Sequence, residues 1–182
     1  MDIISVEPAK NREVNNLYDK QEIYDGLWRI TKEKQDACKA EAEAVDRDHP
    51  TERGALQLKA GIYNVAIAAG LISGVNQAAD IMSKRFVNLM GHFPDLAVYY
   101  HGLTDEEKGI MAVSLYPELF MRASFYNTYQ TELANAEKYG DPQAIFKARI
   151  KKEVLDEILD MWRGFRVQNG LFTFAFDKED EL

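Results

Sequence analysis

Residues 58–86 read LKAGIYNVAIAAGLISGVNQAADIMSKRF. Leu58, Val65, Ile72, Ala79 and Phe86 recur at seven-residue intervals, and Ile62, Ala69 and Asn76 follow the first three by four residues. That is an a/d seam, the pattern by which one edge of an α-helix stays turned toward neighbouring helices. Gly70, Gly74 and Ala78 form a small-residue row that lets another backbone approach closely. The stretch Ala60–Ala79 carries no charge, which raises the question of a membrane span. It leans on alanine and includes Asn64, Ser73, Asn76 and Gln77, so it reads instead as the buried central helix of a bundle, capped by Thr51.

On the N-terminal side, Val14, Leu17, Tyr24, Leu27 and Trp28 recur at helical steps. Pro8 suits a first helical turn, Gly26 weakens the middle, and Glu33, Asp36, Lys39, Glu43 and Arg47 suit a solvated end. The spacing predicts a long helix to about Val45, ended by His49-Pro50, because the residue before proline avoids the helical region.

On the C-terminal side, His92-Phe93-Pro94-Asp95 breaks the chain before a short apolar turn, Leu96–Tyr100. Thr104 with Glu107 reads as a capping box opening a helix that carries Ile110, Val113 and Leu115. Pro117 is expected to kink or divide it, since proline removes a backbone donor. Phe120, Phe125, Tyr126, Tyr129 and Leu133 continue to Tyr139, and Gly140 closes that stretch. Asp141-Pro142 opens a last helix with Ile145, Phe146, Ile150, Val154, Leu155, Ile158, Leu159 and Trp162 on its buried side, and Asn169-Gly170 ends it. Leu171–Phe176 alternates like a strand with no partner strand evident, and is expected to lie as an extended apolar arm over the bundle or into a partner.

The expected fold is therefore all-α. It comprises a long N-terminal helix, a central small-residue heptad helix, a Pro-kinked helix pair, and a C-terminal helix with an apolar arm. Residues 1–182 are expected to form a single helical domain, with 171–182 as arm and acidic tail.

Composition narrows the function. In 182 residues, 30 Asp and Glu against 22 Lys and Arg give a net charge of −8, the wrong sign for a protein that grips nucleic acid over its whole surface. The single cysteine, Cys38, excludes a disulfide scaffold and a cysteine-based zinc finger, and its acidic neighbours favour an inert thiol. No basic-then-apolar leader opens the chain, so a cytoplasmic location is expected. Phosphate-loop, nucleophile-elbow, paired-His zinc and EF-hand patterns are all missing, as is the Glu-x-x-His pair of di-iron bundles. His92, Asp95 and His101 match no ligand spacing. No metal, no cofactor and no catalytic residue are assigned, and a non-enzymatic protein is expected.

Two surfaces remain as candidates. Glu41, Glu43, Asp46, Asp48 and Glu52 surround the junction of the first two helices, where carboxylates three or four residues apart stand about 5–6 Å from one another. Such a cluster could offer a basic groove a substitute for nucleic-acid phosphates. Phe172, Phe174 and Phe176 on the arm would add apolar anchors. The stripe Lys147, Arg149, Lys151 and Lys152, with Arg163 and Arg166 further on, is the one local positive patch and the candidate for nucleic-acid contact. Glu153, Asp156, Glu157 and Asp160 are interleaved with it, so an ordinary solvated helix surface is the competing reading.

The block Ile4-Ser5-Val6-Glu7, Glu13-Val14-Asn15-Asn16-Leu17-Tyr18-Asp19, Tyr24-Asp25-Gly26-Leu27-Trp28 resembles the opening of phage-type anti-CRISPR proteins that act on Cas9, as do length and charge. The resemblance covers about residues 4–28 and includes no functional motif, so no site residue is carried over. It implies a stoichiometric inhibitor, in a bacterial host, that binds Cas9 or its guide complex and blocks DNA binding or cleavage. Cas9 holds nucleic acid in basic channels, which gives an acidic ligand an electrostatic route to it. The alternatives are a helical adaptor or homo-oligomer, and a ligand-binding or enzymatic bundle.

Overall fold

Asp19 opens the first helix. Its carboxylate accepts from the backbone N–H of Gln21 at 2.6 Å and of Glu22 at 3.3 Å, which satisfies donors that a helix start leaves orphaned. In the computed structural model, which describes residues 5–7, 19–71 and 78–175, this helix, α1, runs Lys20–Ala44. Pro8, Val14 and Leu17 lie outside the described residues. The exposed end predicted for the helix is present: Glu33, Asp36, Lys39, Glu43 and Arg47 all face solvent.

Pro50 does not end α1. The chain has already turned extended at Val45, and Pro50 is the first residue of α2, Pro50–Val65. A fixed φ and a missing N–H suit a first turn as well as a stop. The cap position falls on His49, which makes no side-chain capping bond, and not on Thr51.

The heptad segment is not one helix. After α2 comes a π-helical turn, Ala66–Gly70, and a new helix, α3, spans Ala78–Leu89. The amide of Leu71 reaches back to the carbonyl oxygens of Ala66 and Ile67 at 3.1 and 3.2 Å. The wider turn shifts the phase by one residue, so a seven-residue register cannot carry through it. Leu58 and Val65 are only half-buried, while Ala79 and Phe86 on α3 are buried. Ile72, Gly74 and Asn76 lie outside the described residues. The close approach expected of the small-residue row occurs at Gly70, where a Cβ would stand 3.3 Å from Cη2 of Trp162.

A 3-10 turn, Met90–His92, leads into α4, Pro94–His101, where only a turn was expected. Helix α5, Asp105–Met121, begins at the predicted capping box: Thr104 Oγ1 accepts from the Glu107 amide at 3.3 Å and donates to Glu107 Oε1 at 2.9 Å. Residues Met111–Leu119 are all buried, a pattern possible only for a helix enclosed on every side. So α5, not the heptad segment, is the centre of the fold. That enclosure carries the helix through Pro117 unbroken. The interruption comes later, at a π-helical turn, Arg122–Tyr126, before α6, Asn127–Tyr139.

Gly140 closes α6 in the left-handed region, φ 73°, and Asp141 caps α7, Pro142–Gln168, through the amides of Gln143 and Ala144 at 3.0 and 3.4 Å. Of the apolar face predicted for α7, Phe146 is an exception and is exposed. The helix ends in a Schellman motif: the Leu171 amide reaches the Arg166 carbonyl at 2.8 Å and the Gly170 amide reaches that of Val167 at 3.2 Å. The strand-like segment does have a partner. Ser5–Glu7 (β1) pairs antiparallel with Thr173–Ala175 (β2), with Val6 opposite Phe174. The class remains all-α, with this short ribbon joining the two ends of the sequence.

The helices pack as hairpins and layers. Helices α1 and α2 form an antiparallel pair, α7 lies against both α2 and α6, and α3 covers α5. Gly26, expected to weaken α1, faces Phe165 of α7, whose ring edge would be 2.6 Å from any added Cβ. Glycine is there to let the two helices meet.

Candidate binding surfaces

The acidic residues singled out in the sequence do come together. Glu41 and Glu43 stand on the last turns of α1, Asp46 and Asp48 in the α1–α2 turn, and Glu52 in the first turn of α2. All five are exposed, and none takes part in an ion pair among the described residues. The turn itself is held by backbone bonds, Val45 N–H to Glu41 O at 3.1 Å and His49 N–H to Asp46 O at 2.9 Å. The carboxylates are therefore free to meet a partner while their backbone stays fixed.

Phe172 of the apolar arm is not part of such a surface. Phe172 is buried and meets Tyr99 edge-on, ring centroids 6.2 Å apart. Alternation along the segment reflected a strand pairing with β1 and a first residue packed on the core. Of Phe174 only the backbone pairing is described, and Phe176 lies outside the described residues.

The basic stripe is largely answered by acids. Arg149 faces Glu137 at 3.6 Å, Lys151 meets Glu132 at 2.8 Å, and Lys152 meets Asp156 at 3.3 Å. Lys151 also lies 5.9 Å from the centroid of the Tyr129 ring. Lys147 makes no ion pair among the described residues. Arg149 and Lys151 thus tie α7 to α6, while Lys152 pairs within α7. Arg166, counted at the end of the stripe, is fully buried.

That burial exposes what the sequence reading missed. Glu118 of α5, 2% exposed as a side chain, accepts from Arg122 Nε and Nη2 at 3.1 and 3.0 Å through one oxygen, and from Arg166 Nη2 through the other. Burial pushes the Arg166 guanidinium below the ordinary arginine value, and the charge and hydrogen bond of Glu118 oppose that shift. The cluster links α5 to α7 across the core and is sealed from solvent on the Arg166 side, so it serves the fold rather than a ligand.

Among the described residues there is no group of three or more His, Cys, Asp and Glu placed to hold a metal ion, and His92 and His101 are both exposed. No helix among them is long and apolar enough to cross a membrane. Cys38 is half-buried, and burial first, then the charge of Glu41, push its thiol up. Thiolate is the reactive form, so Cys38 is expected to react with a disulfide reagent at pH 8 several-fold more slowly than free cysteine. An equal or faster rate in a colorimetric thiol assay would contradict that environment. Nearby, burial and the Glu157 charge raise the Tyr63 phenol to about 12. Comparison with protein families, with curated proteins and with solved structures gave no match.

Proposed function

We propose that the protein works by binding rather than by chemistry, presenting the acidic α1–α2 corner to a basic protein surface. The observation that carries this reading is the group of five exposed carboxylates on one helical hairpin, none in an ion pair among the described residues. The resemblance of residues 4–28 supplies the partner: a Cas9 nuclease or its guide complex in the cytoplasm of a bacterial host, inhibited at near-stoichiometric ratio. Rim carboxylates of this kind act mainly on the rate of encounter, and their effect is screened as salt shortens the Debye length from about 10 Å at 0.1 M to about 3 Å at 1 M.

Reversing Glu41, Glu43 and Asp46 together to lysine should slow association about tenfold or more at low salt and flatten its salt dependence. Surface-plasmon measurements on immobilised Cas9–guide complex read this directly. A DNA-cleavage assay tests the target: cleavage should fall at near-equimolar inhibitor, with guide, DNA and nuclease chemically unchanged. Undiminished cleavage in excess inhibitor across several Cas9 types would remove the named partner, and covalent change in any component would remove the binding mechanism. Deleting the arm is no test of the interface, because Phe172 is part of the core.

A further inference from the structure

Helices α1 and α2 do not close on each other along their whole length. Between them runs an open groove of about 470 Å³, a volume within the range of small-molecule sites. Its lining comes from matching helical stripes: Gln35, Lys39 and Glu43 on α1, and Arg53, Gln57 and Asn64 on α2. The floor is made by Ala42, Ala60 and Gly61, of which both alanines are buried. At Gly61 no heavy atom lies within 4 Å of where a Cβ would be, so the groove owes part of its space to that glycine.

The inner end is built. The Gln35 side chain, 97% removed from solvent by its 3% exposure, donates from Nε2 to Asn64 Oδ1 at 3.3 Å and accepts at Oε1 from Lys32 Nζ at 3.1 Å. An amide has two N–H donors and two acceptor lone pairs, so the exposed Asn64 retains hydrogen-bonding capacity beyond this contact, while the buried Gln35, with both polar atoms partnered, holds it in place. Lys39, Glu43 and Arg53 form no ion pair with one another or with any other described residue. Two cations and one carboxylate thus share one groove with no ion pair among them.

The lining decides the class of ligand. It has no aromatic side chain on which a nucleobase could stack, and its apolar floor is too small to hold an acyl chain. Cations on opposite walls suit a carboxylate, Glu43 suits an ammonium group, and the Asn64 amide suits a peptide link. We infer that the α1–α2 groove binds a short zwitterionic peptide, its carboxylate between Lys39 and Arg53 and its ammonium toward Glu43. This site shares Glu43 with the proposed nuclease contact, while Lys39, Arg53 and Gly61 belong to the groove alone.

The test uses the full chain alone, so its outcome is independent of any Cas9 assay. Alanyl-glutamine is titrated into isotope-labelled protein, and amide shifts are followed by NMR. Saturable shifts centred on Lys39, Glu43, Arg53 and Gly61 are expected. The same peptide acetylated at its N-terminus and amidated at its C-terminus should bind at least about tenfold more weakly, the effect of losing one good charge contact. Gly61→Trp, which fills the groove from an exposed position, should abolish the shifts while leaving the helical circular-dichroism spectrum and melting midpoint intact. Absence of saturable shifts, equal binding of the capped peptide, undiminished binding by Gly61→Trp, or tighter binding of adenosine monophosphate would each overturn the assignment. Should Gly61→Trp fail to fold, Arg53→Gln replaces it, and retention of full affinity in that variant overturns it equally.

Discussion

Replacing Glu118 by leucine is expected to destabilise the protein by about 3–5 kcal/mol, the cost of breaking a buried ion pair from one side. Glu118 is the carboxylate between two guanidiniums, and Arg166 has no exposed surface. Without Glu118 the buried Arg166 guanidinium loses the carboxylate that accepts from its Nη2. Arg122 retains 24% of its side-chain exposure and can turn to water, so the penalty belongs to Arg166. The double change Glu118→Leu with Arg166→Met removes both charges and should recover most of the loss, because well-packed apolar pairs replace buried ion pairs at little cost. Urea unfolding of the two singles and the double forms a cycle that reads the coupling. If Glu118→Leu alone is no worse than the double, the pair is not holding α5 to α7.

Much of this fold could be read from short-range signals. Thr104 with Glu107, Asp141-Pro142, Gly140 and Asn169-Gly170 each act within one helical turn, and the structure places a cap or a turn at all four. What failed depends on context. Pro50 obeys the same steric rule at a start and at a stop, so only the backbone geometry at Val45 decides between them. The seam from Leu58 to Phe86 matches a heptad on paper, but a π-helical turn at Ala66–Gly70 adds a residue that periodicity alone does not register. Pairing of Ser5–Glu7 with Thr173–Ala175 spans nearly the whole chain, and three residues are too few to announce a strand.

The surfaces divide along the same line. Charges clustered in sequence, Glu41 to Glu52, stay clustered in space because one hairpin holds them. Charges compared along α7 alone concealed their partners on α6, so Lys151 and Arg149 looked freer than they are. Arg166 could have been singled out: it stands four residues after Trp162 on the stripe that begins at Val154 and Leu155, where a solvated arginine does not belong. Glu118 shows the same signal, an acid between Leu115 and Leu119 in an apolar run. Two opposite charges on two apolar stripes are a pairing signal that a search for catalytic motifs passes over.

Trp162→Ala is the second change expected to have a large effect, about 3–5 kcal/mol, as for other large-to-small substitutions of buried aromatics. The indole has no exposed surface, and it joins three elements at once. Its ring edge rests on Gly70 in the π-helical turn after α2, its backbone belongs to α7, and its Nε1 donates to Thr31 Oγ1 of α1 at 2.9 Å. Thr31 in turn donates to the Leu27 carbonyl at 2.7 Å, so the hydroxyl is used in both directions and is itself fully buried. Removing the indole leaves a cavity and takes away that donor. Trp162→Phe separates the two effects, since it restores most of the ring while leaving Thr31 without the indole N–H, and it should cost about 1–3 kcal/mol. Gly70→Leu attacks the same junction from the other side and should overpack it by a similar amount. If Trp162→Phe destabilises as much as Trp162→Ala, the hydrogen bond rather than the packed ring secures the junction. If Gly70→Leu leaves the urea midpoint unchanged, the close crossing of the π-helical turn with α7 is not a constraint on this fold.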